Sequence, residues 1–164
     1  MAILVDSQLT KAYLVPTSAV LTTVSNIETA IATAEQLTCF QTFGDLVETR
    51  ASTEYKCIDS NDFQVSVGSI SGSEIAVEFL FDSQDATGQS DLRTMFDAKT
   101  RRILIVELND TPTTGVTPHP TYIHFEVANL SSGVTIALDA AVVYKTSMKV
   151  CSRMVWNMAA GTTV

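Results

Sequence analysis

Lysine and arginine are scarce in this 164-residue chain: they number 10 against 18 aspartates and glutamates, for a net charge of −8. Ordinary high-affinity nucleic-acid binding needs clustered cations to neutralise phosphates, so that class is set aside. Only 3 cysteines occur, Cys39, Cys57 and Cys151, far apart and without a C-x-x-C pair. They read as reduced, mostly buried thiols of a cytosolic setting. With 2 histidines, His119 and His124, they offer no zinc-ligand spacing, so no metal site is expected. A lone strand histidine such as His124 reads as structural. No G-x-S-x-G nucleophile elbow is present. Gly68-Ser69-Ile70-Ser71-Gly72-Ser73 lacks G-K-[ST] and precedes a strand, so it is no phosphate loop. Neither a catalytic residue nor a cofactor is expected, and the chain reads as no enzyme. No apolar run approaches a membrane span. Met1–Asp6 has no basic region and too short an apolar run for a secretion signal.

What remains is 46% apolar and 17% charged, which is the composition of a globular chain. Its length suits one domain over 1–164 with a sizeable core. Val, Ile, Thr and Ser are plentiful and favour sheet. The acid is uneven. From Cys57 to Leu92 lie Asp59, Asp62, Glu74, Glu78, Asp82, Asp85 and Asp91, with no Lys or Arg between them. Most of these read as a solvated surface.

Periodicity places the elements. Ile75, Val77, Phe79 and Phe81 alternate with other residues, as on a strand with one face in a core. Asp82-Ser83-Gln84-Asp85 then supplies acceptors for a helix start, and the two aspartates read as caps. Leu92, Met95 and Phe96 form one helical stripe, so a helix is expected over about 84–98. Lys99, Arg101 and Arg102 suit its end. Arg102–Leu108 is a strand apolar on both faces. Upstream, Lys11–Val15 and Ala19–Val24 read as β-like. Ser25-Asn26-Ile27-Glu28 has capping-box spacing for a helix over about Asn26–Gln36, with a strand as the rival reading. Leu37–Val47 alternates loosely. Glu48–Val67 is polar and aperiodic and reads as a long loop, with room for a hairpin through Tyr55-Lys56-Cys57-Ile58. Pro112–Pro120 is a second loop. Ile123, Phe125 and Val127 share a strand face, Ser131-Ser132-Gly133 is a turn, and Val134–Leu138 is a short strand. From Val142 to Trp156 the even positions form one face, with Tyr144, Met154 and Trp156 read as core. Fifteen extended residues span roughly 50 Å, against a radius of gyration of roughly 15 Å for such a domain. The segment must therefore bend, cross the whole domain or contain a bulge. The fold class is α+β, mainly β: an antiparallel β-sandwich or barrel with one flanking helix.

The run Asp82, Asp85, Gly88, Gln89, Leu92, Arg93 resembles the D-x-x-D-x-x-G-Q-x-x-L-R segment of bacteriophage tail tube proteins, the subunits of long non-contractile tails. Cys39–Leu46, Glu48-Thr49-Arg50, Glu54-Tyr55 and Gly68-Ser69 are similar to that family too. The resemblance covers roughly the middle half of the chain and rests on the order of several weak motifs. It implies a structural virion protein of the phage tail, assembled in the host cytoplasm. It also implies hexameric rings whose edge strands join, stacked into a tube for DNA ejection. The expected partners are other copies of the chain, the tape measure protein, and the distal tail and tail terminator proteins. Genomic DNA would pass an acidic lumen without specific binding, and no membrane is involved. In that family the long loop reaches between rings, so Arg50, Glu54, Tyr55 and Lys56 are the expected inter-ring contacts. A head-completion or tail-terminator ring is the first alternative. A β-sandwich carbohydrate-binding module is the second, and it would want exposed aromatics, which make up only 7% of the chain.

Overall fold

The computed structural model describes residues 10–56, 63–84, 88–112, 118–136, 138 and 140–159. Along the chain run β1 (Lys11–Val15), α1 (Val24–Ala32), β2 (Glu35–Leu37), β3 (Phe40–Phe43), β4 (Glu48–Lys56) and β5 (Phe63–Gly72). These are followed by β6 (Glu74–Leu80), α2 (Gly88–Ala98), β7 (Arg101–Glu107), β8 (Tyr122–Thr135), β9 (Val143–Val150) and β10 (Val155–Asn157). One sheet has the order β2-β1-β7-β8-β9-β6-β3, with β10 also paired to β8. Strands β4 and β5 form a second sheet by themselves. Every pairing is antiparallel. The α+β, mainly β class expected from the sequence is the observed one.

The end strands β2 and β3 are consecutive in the chain, joined only by Thr38 and Cys39, and Cys39 turns the corner at φ 61. The sheet therefore curls until its two ends meet there, as an open barrel whose end strands do not pair. The inner face holds Phe79, Phe125, Leu104 and Met148, with Leu92 and Met95 of α2 packed among them. The outer face holds Tyr13, Val15, Ile105 and Tyr122 under Ile27 of α1. That explains why β7 is apolar on both faces: Leu104 and Val106 point inward, and Ile105 points to α1.

Among the described residues two helices pack on the sheet, the flanking one expected over about 84–98 and the one read, with a strand as its rival, over about Asn26–Gln36, and both are shifted. Helix α1 starts at Val24 because Thr23, not Ser25, caps it, accepting from the Asn26 N–H at 3.2 Å. It ends at Ala32, which frees Glu35–Leu37 to pair with β1 as a strand. No strand forms over Ala19–Val24; these residues carry Leu21 into the α1 cluster instead. Helix α2 starts at Gly88, and Asp85 lies outside the described residues. Asp82 caps a turn before it, accepting from the Gln84 N–H at 2.8 Å. The Gln89 side chain fastens the start to β6, with Nε2 donating to the Leu80 carbonyl at 2.7 Å. The buried stripe is Gly88, Gln89, Leu92 and Met95. Phe96 lies beside it, half-buried, with the Arg93 guanidinium 5.6 Å from its ring centre. Lys99 closes the helix at φ 54, and the Thr100 N–H donates to the Met95 carbonyl at 3.1 Å.

The long final strand contains the bulge its length demanded. Val150 stands opposite Val127, and Val155 opposite His124, so five steps on one side face three on the other. Ser152 fills the gap, its hydroxyl accepting from the Glu126 N–H at 2.8 Å. Past the bulge Met154 is buried, while Trp156 is 49% exposed and no core residue. Ser131-Ser132-Gly133 is no turn, and Val134–Leu138 is no separate strand. Ser131-Ser132-Gly133 and Val134-Thr135 belong to the run of β8, which goes through a register shift between Asn129 and Ser131, while Ile136 and Leu138 lie past its end. Phe81 falls past the end of β6 and is 45% exposed. Cys39 and Cys151 are exposed free thiols, not buried ones, and Cys57 lies outside the described residues.

Truncating Leu92 to Ala should lower unfolding stability by about 2–5 kcal/mol, because it opens a cavity in the inner core. Phe96→Ala should cost markedly less, since that ring keeps one face in water. Urea denaturation of both variants checks the order, and an equal or larger loss at Phe96 would contradict the assigned stripe. Burial and the nearby Glu107 carboxylate push the phenols of Tyr13 and Tyr122 up to about 12 from an ordinary 10.0. Folding thus holds protons that the unfolded chain releases. The phenols' share of stability is present below pH 10 and is lost as pH rises toward about 12. In Tyr13→Phe that alkaline loss should shrink, as followed by melting temperature over this range.

Candidate assembly surfaces

The polar stretch Glu48–Val67 is no structureless loop. Its described residues, Glu48–Lys56 and 63–67, belong to the β4–β5 hairpin, paired from Glu48 opposite Gly72 to Lys56 opposite Phe63 with a register shift between Arg50 and Ser52. A period of two appears in sequence when one strand face is buried. Here Thr49, Arg50, Ala51 and Ser52 are all exposed, and so are Val67, Gly68 and Ser69. Among the described side chains of the hairpin no buried face writes that pattern. The hairpin pairs with no strand of the main sheet. A two-stranded sheet by itself is marginal in water, so its direction must be set at its root.

The root is a cluster of short contacts. The Glu48 carboxylate accepts from the Met154 N–H at 2.7 Å, which ties β4 to the bulge after β9. The Ser73 N–H donates to the Val47 carbonyl at 3.1 Å, and the Ser73 carbonyl accepts from the Val150 N–H at 3.2 Å. Lys149 Nζ donates to the Gly72 carbonyl at 2.9 Å. Gly72 lies so close to Val150 that any Cβ would overlap that side chain. The chain therefore passes from hairpin to main sheet over a position that only glycine fits.

Of the four residues expected to make contacts, Arg50 is exposed on β4, opposite Ile70. Glu54, Tyr55 and Lys56 follow on the same strand, opposite Val65, Gln64 and Phe63, and their side chains lie outside the described residues. Sequence reading passed over Glu48, Gly72 and Lys149. The one signal they left is Gly72-Ser73 just before the alternating run that begins at Ile75.

The acid of the middle stretch is partly paired. Glu78 meets Lys145 at 2.6 Å, and Asp91 meets Arg102 at 3.1 Å. Glu74 and Asp82 stay exposed, and Asp59, Asp62 and Asp85 lie outside the described residues. Burial lowers the His124 pKa, and its Nε2 is buried without a hydrogen-bond partner. Among the described residues, no three His, Cys, Asp or Glu side chains are placed to hold a metal ion. No helix among them is long and apolar enough to cross a membrane.

The chain has the tail-tube fold. Its structure superposes on the SPP1 tail tube with a TM-score of 0.69 at 14% identity, over 94% of this chain and 79% of that one. It superposes on the tail of an empty gene transfer agent particle with a TM-score of 0.64 at 12% identity, over 93% and 98%. The sheath/tube terminator of the PVC extracellular contractile injection system gives 0.67 at 9% identity, over 96% and 99%. The fold is thus not confined to long non-contractile tails. No family model and no curated protein matches the sequence.

Glu48→Ala should loosen the root. Loss of a charged acceptor should cost about 1.5–3 kcal/mol, and amide exchange should quicken at Met154 and along β4 and β5 more than in β7. Glu48→Gln keeps an acceptor and should restore most of the protection. Unchanged exchange at Met154 in Glu48→Ala would contradict the tie.

Proposed function

We propose that this chain is a non-enzymatic structural subunit of a phage-type tail tube. In this reading it forms rings that stack into a hollow conduit for DNA ejection, and it resides in the virion tail. The observation that carries the reading is a tail-tube fold over 94% of the chain combined with a self-paired hairpin projecting from the main sheet. An open barrel with unpaired end strands β2 and β3 offers sheet edges that neighbouring copies can extend. Such an edge is a hazard in a monomer and a joint in a ring. Six copies per ring is the proposed number, and C6 symmetry in the gene transfer agent tail supports it. Copies above and below are held through the hairpin. Tape measure, distal tail and terminator proteins meet the two ends of the tube. A net charge of −8 suits a lumen along which DNA slides without sticking.

A single terminator ring is the second reading, favoured by the likeness to the PVC terminator. It gives the hairpin nothing to stack against. A carbohydrate-binding module has less support: the exposed large aromatics among the described residues are Phe81 and Trp156, on different elements and not in a row.

Negative-stain microscopy of the purified full chain should show long hollow tubes. Shortening the hairpin between Thr53 and Phe63 to a tight turn should leave a folded chain, by circular dichroism, that makes no tubes. Long tubes from the shortened chain would overturn the stacking role. Discrete single rings from the intact chain would favour the terminator reading.

A further inference from the structure

Strand β6 links two unlike ends of the molecule. At Glu74 it meets Lys149, next to the hairpin root; at Leu80 it meets Val143. The hairpin leaves from the first end. The second end carries apolar surface that the fold leaves uncovered. Phe81 and Val134 are each 45% exposed, Ile136 79% and Leu138 97%. Single exposed apolar side chains need no account, but Phe81 and Val134 come together from two separate segments of the chain. Phe81 and Val134 line one open cavity of about 400 Å³, and Ile136 and Leu138 follow in the chain just past β8. Asp82 and Arg93 line the same cavity; Arg93 is paired with Asp97 at 3.0 Å, while Asp82 is exposed and without an ion pair among the described residues. At the other end Arg50 is exposed on the hairpin and likewise has no ion pair among the described residues.

We propose that this apolar end is the seat for the hairpin of a second copy, with Arg50 of one copy set against Asp82 of the next. The inference rests on the stacking reading above and names the surface that receives the hairpin. Three observations favour a second copy as the occupant. The two surfaces lie at unlike ends, and contact between unlike ends repeats without closing, as a stack requires. The hairpin needs a platform, since two strands alone are marginal, and it brings apolar surface of its own at Val67, which is 59% exposed. The charges are also complementary: an unpaired cation on the hairpin meets an unpaired anion on the rim. Contact between like ends would set Arg50 against Arg50. A rim pair adds little affinity, but it selects the partner face and the register.

A charge-reversal cycle on the full chain tests the pairing, read as the critical concentration for tube assembly by sedimentation and microscopy. Arg50→Glu and Asp82→Lys should each raise it about tenfold, and the double variant should return to within about threefold of the parent. Asp82→Asn keeps the acceptor that caps the turn before α2, so it separates loss of charge from loss of fold; it should give a smaller rise. Phe81→Asp should raise the critical concentration at an unchanged melting temperature, because its ring is already half in water. Parental assembly by both single reversals would overturn the pairing, as would a double variant no better than the worse single. In either case a hairpin-shortened chain that fails to assemble would leave the stacking role standing. Assembly by that shortened chain would instead bring down the stacking reading itself.

Discussion

The contact at the hairpin root, where Gly72 lies against Val150, governs how the rest of this molecule is arranged. Strands β5 and β6 are nearly one run of chain, broken only at Ser73. Below the break β6 pairs with β9 and buries Ile75, Val77 and Phe79. Above it β5 pairs only with β4 among the described residues, and Val67, Gly68 and Ser69 meet solvent. The change from one regime to the other needs close approach of two backbones, and a side chain at position 72 would forbid it. The bulge after β9 serves the same point from the other side. It turns the Met154 N–H out of the β8 ladder and toward the Glu48 carboxylate. A ladder bond lost in the sheet thus becomes the bond that aims the hairpin.

The parts of the fold that were legible in the sequence are those with one buried face. Strands β6, β7 and the first half of β8 each showed alternation or a doubly apolar run, and each is where it was expected. The final segment was legible as too long for one straight strand, and the bulge is the reason it fits. The hairpin was illegible for the opposite cause. With no core beneath it, its residues answer to backbone pairing alone, and Ser, Thr, Glu and Arg pair as well as apolar residues do. Phe81, Trp156 and Phe96 were misplaced because periodicity reports phase and not where a strand or stripe ends. Phe81 and Trp156 continue inward-facing series past the point where the core stops. The early start of α1 turned on which of two hydroxyls caps it, and residue type alone favours Ser25 over the Thr23 that does so.

Electrostatics divides the surface in the same way as the hydrogen bonding does. Glu78 and Asp91 are drawn into pairs with Lys145 and Arg102 and hold neighbouring elements together. The half-exposed Glu78–Lys145 pair contributes little stability. Glu28, Asp45, Glu74, Lys99 and Arg153 have no ion pair among the described residues, and neither do Arg50 on the hairpin and Asp82 at the opposite end, the two proposed to meet between copies.

The central claim is that a second copy orders the hairpin that the subunit leaves without a partner sheet. Hydrogen exchange on the amides of β4 and β5, compared between the dispersed subunit and the assembled protein, tests it most directly. The account predicts fast exchange at Arg50, Ser52 and Val67 in the subunit and strong protection in the assembly, with the amides of β7 protected in both. Equal, slow exchange of the hairpin amides in the two states would contradict it, since the hairpin would then be stable with no neighbour at all.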